Sequence, residues 1–473
     1  MLNEKDYIKP GKVFGNVYFV GNRPASTHLI DTGAGLIMID PGYDQYLDSV
    51  IENMAELGFK PADVKIILHS HGHYDHAGAT ADLLALCDAK TYVGAADEKM
   101  VNGEEDTSLS KWPMKFFQPD GVLREGDTVT LGNTTVLCCE TPGHTDGTLS
   151  FFFDVEEDGK TYRAGMFGGA GTNTLIHQFL TEHGVPFENR QKFLSSIERL
   201  LGERVELFLG NHVGNNDTAG RLDRVRAGEK EAFIDPEAWI AFLNNRKSRI
   251  LEIIAEDEMN HTIETILKEK LIVIVRGVSR EKLIPYAKAS AEGGIRLLEC
   301  TYDATGKISD EEIAGNIAAL VEAVGDQMLI GAGTVLTERQ VELTKQAGGK
   351  FIISPDTNPD IIKKTKELGL VSIPGALTPT EIAAAHRAGA DFVKVFPVSM
   401  MGGVGYIKAV SAPLSHVRLL AVGGVGVEQM QEYLDAGACG IGMGSLLVDK
   451  NLIEKGDLDE IKRRAETVVA KLK

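Results

Sequence analysis

From Leu271 onward, short apolar runs recur with helical segments between them: Ile272 to Val275, Arg296 to Glu299, Met328 to Ile330, Phe351 to Ile353, Val371 to Ile373, Phe392 to Phe396, Arg418 to Val422 and Gly440 to Met443. No other feature of the chain limits its fold so tightly. Strands without polar alternation are buried on both faces, as in parallel sheets flanked by helices. Eight of them alternating with helical patterns predict a closed parallel (β/α)8 barrel over residues 262–473. In that architecture the groups that do chemistry belong at the C-terminal ends of the strands.

At 473 residues the chain is too long for one ordinary core, so a second domain is expected ahead of the barrel. Its pattern differs. Short segments such as Val17-Tyr18-Phe19-Val20 and Gly35-Leu36-Ile37-Met38-Ile39-Asp40 are punctuated by glycine and proline, as strands joined by tight turns are. Helical patterns at Tyr46 to Leu57, Thr80 to Cys87 and Glu188 to Leu201 alternate with strands expected at Thr128 to Leu137, Thr148 to Phe153 and Glu206 to Leu209. This mixed α/β layout occupies residues 1–255. Asp235 to Met259 reads as a charged helical connector with Asn260-His261 as its hinge, which makes 256–261 the linker.

A hydrophobic fraction of 43% with 25% charged residues is that of a globular protein. The net charge of -19 argues against nucleic acid or an anionic membrane as partner, since both would be repelled over most of the surface. The N-terminal stretch Met1 to Tyr7 lacks the basic start and apolar core of a secretory signal, and no apolar run reaches the length of a membrane span. A cytoplasmic protein acting on small molecules is expected. Cys87, Cys138, Cys139, Cys300 and Cys439 are odd in number and lack metal-ligand spacing, so they read as reduced, buried residues.

Val64-Lys65-Ile66-Ile67-Leu68 reads as a buried strand, followed by His71-Gly72-His73-Tyr74-Asp75-His76 just before a helix. His71 and His73, two apart in an extended turn, can aim at one metal, while Asp75 and His76 emerge toward a second. His144 in Thr141-Pro142-Gly143-His144 and His212 in Gly210-Asn211-His212 supply the two further histidines that such a pair requires. His69 reads as pointing away from the metals, and His177 and His183 as loop residues. The set resembles the metallo-β-lactamase superfamily over about residues 10–255 and implies an αββα sandwich carrying two Zn2+. By that resemblance one zinc takes His71, His73 and His144, and the other Asp75, His76 and His212, with open positions for a shared hydroxide as nucleophile. The segment Met166 to Gly171 holds neither the bridging aspartate of glyoxalase-type members nor the cysteine of one β-lactamase group. With Phe233 to Trp239, it resembles the cysteine-free, His-rich β-lactamase subgroup.

The second cluster centres on Lys394, set in the apolar run Phe392-Val393-Lys394-Val395-Phe396. Burial disfavours the charged amine and produces the free nucleophile that attacks a ketone. Glu299 ends the second strand, Gly331-Ala332-Gly333-Thr334 the third and Ser354-Pro355 the fourth, while Gly423-Gly424 and Gly444-Ser445 follow the seventh and eighth. In a barrel these converge on one mouth, the last two pairs where backbone N–H groups hold phosphate. Together they resemble the class I aldolases acting on 2-keto-3-deoxy-6-phosphogluconate and 4-hydroxy-2-oxoglutarate, over about residues 262–473. The resemblance implies that Lys394 forms an iminium with the C2 carbonyl and needs no cofactor, and that Glu299 moves protons. It further implies that Thr334 holds the pyruvyl end, and that Gly423, Gly424 and Ser445 hold a distal phosphate or carboxylate. Asp303 stands where the best-known branch has an arginine, and Val422 where it has a threonine. Arg276, ending the first strand, is placed to supply the missing positive charge.

The combined expectation is a bifunctional enzyme, a Schiff-base aldolase fused to a dinuclear zinc hydrolase that opens a sugar-acid lactone or ester. Alternatives for the first domain are an unrelated thioester, β-lactam or phosphodiester substrate, or a non-catalytic metal-bound assembly module. Trimers through the barrel are expected from the aldolase resemblance.

Overall fold

In the computed structural model, which describes residues 5–105, 114–444 and 446–472, the chain separates into two units, Met1–Ile254 and Ala255–Lys473. Among the described residues no helix is long and apolar enough to cross a membrane.

The first unit contains a seven-stranded sheet that keeps chain order in space. Gly11–Phe14, Val17–Phe19, His28–Asp31 and Leu36–Ile39 pair antiparallel, then Val64–Leu68, Lys90–Gly94 and Gly121–Leu123 add in parallel. A five-stranded sheet faces it, ordered Leu207–Phe208, Lys160–Met166, Leu149–Glu157, Thr134–Glu140 and Thr128–Leu131. Because side chains alternate along a strand, Phe19, Ile37 and Leu68 can meet Phe151, Phe153 and Met166 in one apolar layer between the sheets. Helices cover the outer faces. Val50 and Met54 of Leu47–Glu56 pack with Met38 and Ile67, while Phe193 and Ile197 of Asn189–Leu200, with Trp239, pack with Phe152 and Phe208. The result is an αββα sandwich.

Three local expectations in this unit are corrected. Residues 128–137, read as one strand, form a hairpin in which Leu131 pairs with Thr134 across Gly132-Asn133. Gly132 takes φ 53°, the positive value that a two-residue loop with glycine first requires. Lys160–Met166 is a strand with no counterpart in the sequence reading, because its first half is polar and only Ala164 to Met166 are buried. His177 and His183 lie in a helix, His177–His183, closed by Gly184 in the left-handed conformation, and not in a loop.

The second unit is a closed parallel barrel. Its strands are Leu271–Val275, Leu297–Thr301, Leu329–Gly333, Phe351–Ile353, Val371–Ile373 continued by Gly375–Ala376, Val393–Val395, Leu419–Val422 and Ala438–Met443. Pro374 interrupts the fifth because proline has no N–H to give the ladder. Its first part pairs with Phe351–Ile353 and its second with Val393–Val395, which closes the ring. Ile272, Leu297, Phe351, Phe392 and Leu420 form one cluster, and their strand neighbours Val273, Leu298, Val393 and Leu419 form another with the surrounding helices. Asn260 and His261, read as a hinge, are helical. They lie within the unbroken helix Pro236–Glu269, which contains no internal glycine or proline, and Met259, Ile263 and Ile266 carry its last turns onto Leu297 and Phe351. The segment 256–261, read as the linker, is part of this helix.

Candidate active sites

In the first unit the strand Val64–Leu68 ends beneath His69 and Ser70, and the extended His73 caps the short helix Tyr74–Ala77. This turn gathers the histidine-rich motif at one end of the sandwich, and the loops after Thr134–Glu140 and Leu207–Phe208 bring in His144 and His212. His73 Nδ1 lies 3.0 Å from His144 Nε2, and His76 Nε2 lies 3.3 Å from His212 Nε2. The His71 ring centroid is 4.8 Å from each of His73 and His144 and 4.3 Å from His76. Asp75 Oδ2 sits 3.3 Å from His76 Nε2 and 3.6 Å from His212 Nε2. All six residues are brought together. His71 is shared between two sets whose ligand atoms lie within 4.8 Å of one another, His71-His73-His144 and His71-Asp75-His76, while His212 joins the second set through its short distances to Asp75 and His76.

These residues are suited to hold metal, and the hydrogen bonds behind them show why. A carbonyl or carboxylate oxygen only accepts, so each ring nitrogen facing one must carry the proton. His144 Nδ1 donates to Gly171 O at 2.9 Å, His212 Nδ1 to Pro24 O at 2.6 Å and His76 Nδ1 to Asp40 Oδ2 at 2.8 Å. Ser70 Oγ donates to Asp40 Oδ2 at 2.6 Å, which leaves its lone pairs for the Nδ1–H of His71 at 3.1 Å. Four Nε2 lone pairs are thereby turned inward. His71 Nε2 is buried with no hydrogen-bond partner, a costly arrangement unless a cation takes it. Burial, reinforced by the neighbouring imidazoles, holds His71 and His73 well below the usual histidine range, and burial brings His144 to about 4. All three therefore stay neutral, the ligating form. His76 differs, because although burial opposes its charge, Asp75 and Asp40 together raise it to about 10. In the absence of a cation it carries the proton that balances two carboxylates.

The motif did not reveal Asp40 or Gly171, which orient these histidines from distant parts of the chain, whereas Ser70 orients its own neighbour His71. His69 is satisfied on both nitrogens, by Tyr92 O at 2.9 Å and Thr80 Oγ1 at 2.8 Å, and takes no part. A cavity of about 580 Å³ opens from His73 and His144 and is walled by Met100, Phe179, His183 and Asn189.

In the barrel, a cavity of about 590 Å³ is lined by Lys394, Glu299, Arg276, Thr334, Gly423 and Gly424. Lys394 is 7% exposed and its Nζ sits 4.8 Å from the Phe396 ring centroid. Burial pushes its amine down, against the pull of Glu299. Glu299 is 1% exposed, with Oε2 unpartnered, and burial pushes its carboxyl up against Lys394 and Arg276. Both groups are thus moved toward their neutral forms. Arg276 Nη2 donates to Thr334 Oγ1 at 3.0 Å, and Thr334 holds φ 56°, a strained value for a residue with a branched side chain. Gly423 and Gly424 take φ 94° and 82°, and a Cβ at Gly424 would meet Ser399 Oγ at 2.2 Å. Ser445 lies outside the described residues. Asp303 is occupied: it accepts from Thr305 N and Oγ1, Lys307 N and Ile308 N at 2.8 to 3.0 Å, and so ties its own loop.

The family model described as KDPG and KHG aldolase matches residues 263–464. The 2-dehydro-3-deoxy-phosphogluconate aldolase of Haemophilus influenzae is 32% identical over 218 residues, covering 45% of this chain and 98% of that protein. The chain belongs to the KDPG and KHG aldolase family. The 2-dehydro-3-deoxy-6-phosphogalactonate aldolase of Escherichia coli is 36% identical over 179 residues, covering 38% of this chain and 84% of that one. Ahead of this aldolase domain, residues 20–158 match the metallo-beta-lactamase superfamily model. The native metallo-beta-lactamase from Legionella gormanii superposes with a TM-score of 0.50 at 26% identity, covering 54% of this chain and 99% of that one. The protein therefore joins a metallo-beta-lactamase superfamily domain to a KDPG and KHG aldolase domain, families of hydrolases and lyases acting on small molecules.

Proposed function

We propose that the barrel cleaves a 2-keto-3-deoxy-6-phosphogluconate or 4-hydroxy-2-oxoglutarate type acid to pyruvate and an aldehyde, with Lys394 as nucleophile. The observation that carries this reading is a buried lysine and a buried glutamate with one unpartnered oxygen in one cavity of a closed barrel. The Lys394 amine adds to the C2 carbonyl and water leaves, giving an iminium. Glu299 takes the proton of the C4 hydroxyl as the C3–C4 bond breaks, so that its electrons pass into the enamine and the aldehyde departs. Protonation at C3 and hydrolysis then release pyruvate and restore the amine. Arg276 and Thr334 receive the keto-acid end, and Gly423, Gly424 and Ser445 the distal phosphate or carboxylate. The phosphorylated substrates named for the bacterial relatives support this choice. Pyruvate release from the two acid types by purified protein tests it, and release from neither overturns it.

A Cβ at Gly333 would lie 1.6 Å from Glu299 Oε1. Gly333→Ala is accordingly expected to displace that carboxylate and slow cleavage about 100-fold or more, the scale of general acid–base catalysis. Pyruvate release measured beside an unchanged circular dichroism spectrum checks it.

For the first domain the same reading assigns His71, His73 and His144 to one Zn2+, and Asp75, His76 and His212 to a second. A bound pair would supply Lewis-acid polarisation of a carbonyl and a lowered pKa for water. The chain's own part is to fix the imidazole lone pairs through Gly171, Pro24, Asp40 and Ser70, and to offer the cavity beside His73 and His144 to an acyl group. Covalent fusion supports successive steps, the hydrolase opening a lactone or ester of a sugar acid that leads to the aldolase substrate. A panel of lactones, esters and thioesters identifies the acyl group. A trimeric assembly in the cytoplasm completes the proposal. After zinc loading, about two zinc ions per chain are expected by metal analysis. The double variant His71→Ala with His76→Ala should retain few or none.

A further inference from the structure

Asp97 lies in the turn Ala95–Asp97 after the strand Lys90–Gly94 and is 1% exposed. It meets both loops that carry the first metal position. Its Oδ2 accepts from Gly72 N–H at 2.9 Å and from the Thr145 hydroxyl at 2.8 Å, and its Oδ1 accepts from Gly147 N–H at 2.8 Å. Gly72 separates His71 from His73, and Thr145 directly follows His144. The approach is close on every side: a Cβ at Gly147 would fall 2.5 Å from Asp97 Cγ, and one at Gly94 would fall 1.9 Å from Gly147 O.

Burying a carboxylate is costly, and apolar residues of similar volume commonly stabilise a fold as well or better. Three donors from two loops give this one a different purpose. The histidines of the second position are anchored elsewhere, His76 on Asp40 at 2.8 Å and His212 on Pro24 O at 2.6 Å. We propose that Asp97 is a positioning residue for the first metal position, setting the distance between the His71-Gly72-His73 turn and the His144 loop and thereby the metal affinity of that position alone. The proposal rests on the reading that the six residues hold two divalent ions.

Asparagine keeps the shape of Asp97 but offers one acceptor oxygen, so either Gly72 N–H or Gly147 N–H would face an amide N–H. One loop is then released. The test is zinc competition against a chromophoric chelator, on the full chain, in two backgrounds. His212→Ala leaves the first position intact and His144→Ala leaves the second. Asp97→Asn should weaken zinc binding about 10- to 100-fold in the His212→Ala background, as loss of an orienting partner does. In the His144→Ala background the change should stay within about twofold. Equal weakening in both backgrounds, which general damage to the fold would produce, overturns the proposal, as does no weakening in the first. Thr145→Val keeps both backbone N–H bonds and removes only the hydroxyl, so it decides the matter where Asp97→Asn does not fold. It should weaken the first position by about threefold or more, and unchanged affinity overturns the proposal. A wild-type chain that takes up less than one zinc overturns the metal reading and this proposal with it. Two bound zincs with Asp97→Asn unaffected overturn the proposal alone.

Discussion

Lys394→Arg is expected to abolish pyruvate release and, with it, the adduct that borohydride leaves when added during incubation with pyruvate. Arginine keeps the positive charge and much of the length of the stem, but its guanidinium stays protonated and forms no imine. In wild type the adduct should map to the peptide carrying Lys394. The lowered amine pKa has a further consequence: neutral amine persists at lower pH than in free lysine, so trapping should extend to correspondingly lower pH. Glu299→Gln separates the two roles. The amide preserves the cavity but neither takes nor returns a proton, so it should permit some trapping while slowing turnover by about 10²- to 10⁴-fold. Peptide mapping by mass spectrometry measures the first effect and a coupled pyruvate assay the second. An adduct on another lysine, or normal cleavage by Lys394→Arg, would falsify the Schiff-base assignment.

The barrel was legible because its strands are buried on both faces and read as largely apolar runs, in which Lys394 and Glu299 stand out. The fifth strand shows the limit of that signal. Val371–Ile373 is visible in the sequence, but its continuation Gly375–Ala376 beyond Pro374 is too short and small to register, although it is what pairs with Val393–Val395. Glu299 and Gly333 illustrate a second limit. Both were visible as strand-end residues, yet the 1.6 Å that forbids a side chain at Gly333 arises only when neighbouring strands are in register, Thr301 beside Gly333. In the sandwich, the six proposed ligands, which the structure brings together, were legible from a compact motif and two histidine loops. The groups that aim them were not: Asp40 and Asp97 lie outside the histidine motif with nothing in sequence to tie them to it, and Pro24 and Gly171 contribute only a carbonyl. The cavity wall formed by Phe179 and His183 was hidden for the same reason, because a short helix without strong periodicity resembles a loop in sequence.

Asp75→Asn should abolish hydrolysis of whichever lactone or ester the first domain accepts, while aldol cleavage stays within about twofold of wild type. Asp75 is the one carboxylate among the six proposed ligands, with its Oδ2 3.3 Å from His76 Nε2 and 3.6 Å from His212 Nε2. Burial raises the pKa of this carboxyl, but the surrounding histidines outweigh it and hold the group far below the usual carboxylate range. It is therefore an anion at neutral pH. The amide removes that charge and a basic oxygen at the position where a divalent ion would need both. It also removes one of the two carboxylates that balance His76, leaving Asp40 alone. Loss of several kcal/mol of electrostatic stabilisation corresponds to a drop of about 10²- to 10³-fold or more in kcat/KM. Zinc content should fall from about two per chain toward one, since His71, His73 and His144 are unaltered. The barrel has its own cores and none of its cavity residues lies in the first unit, so its chemistry has no reason to change. Both activities and the zinc content are measured on one preparation. Equal loss of the two activities in a folded, soluble variant would mean that the sites depend on one another, and retained hydrolysis would remove Asp75 from the reacting centre.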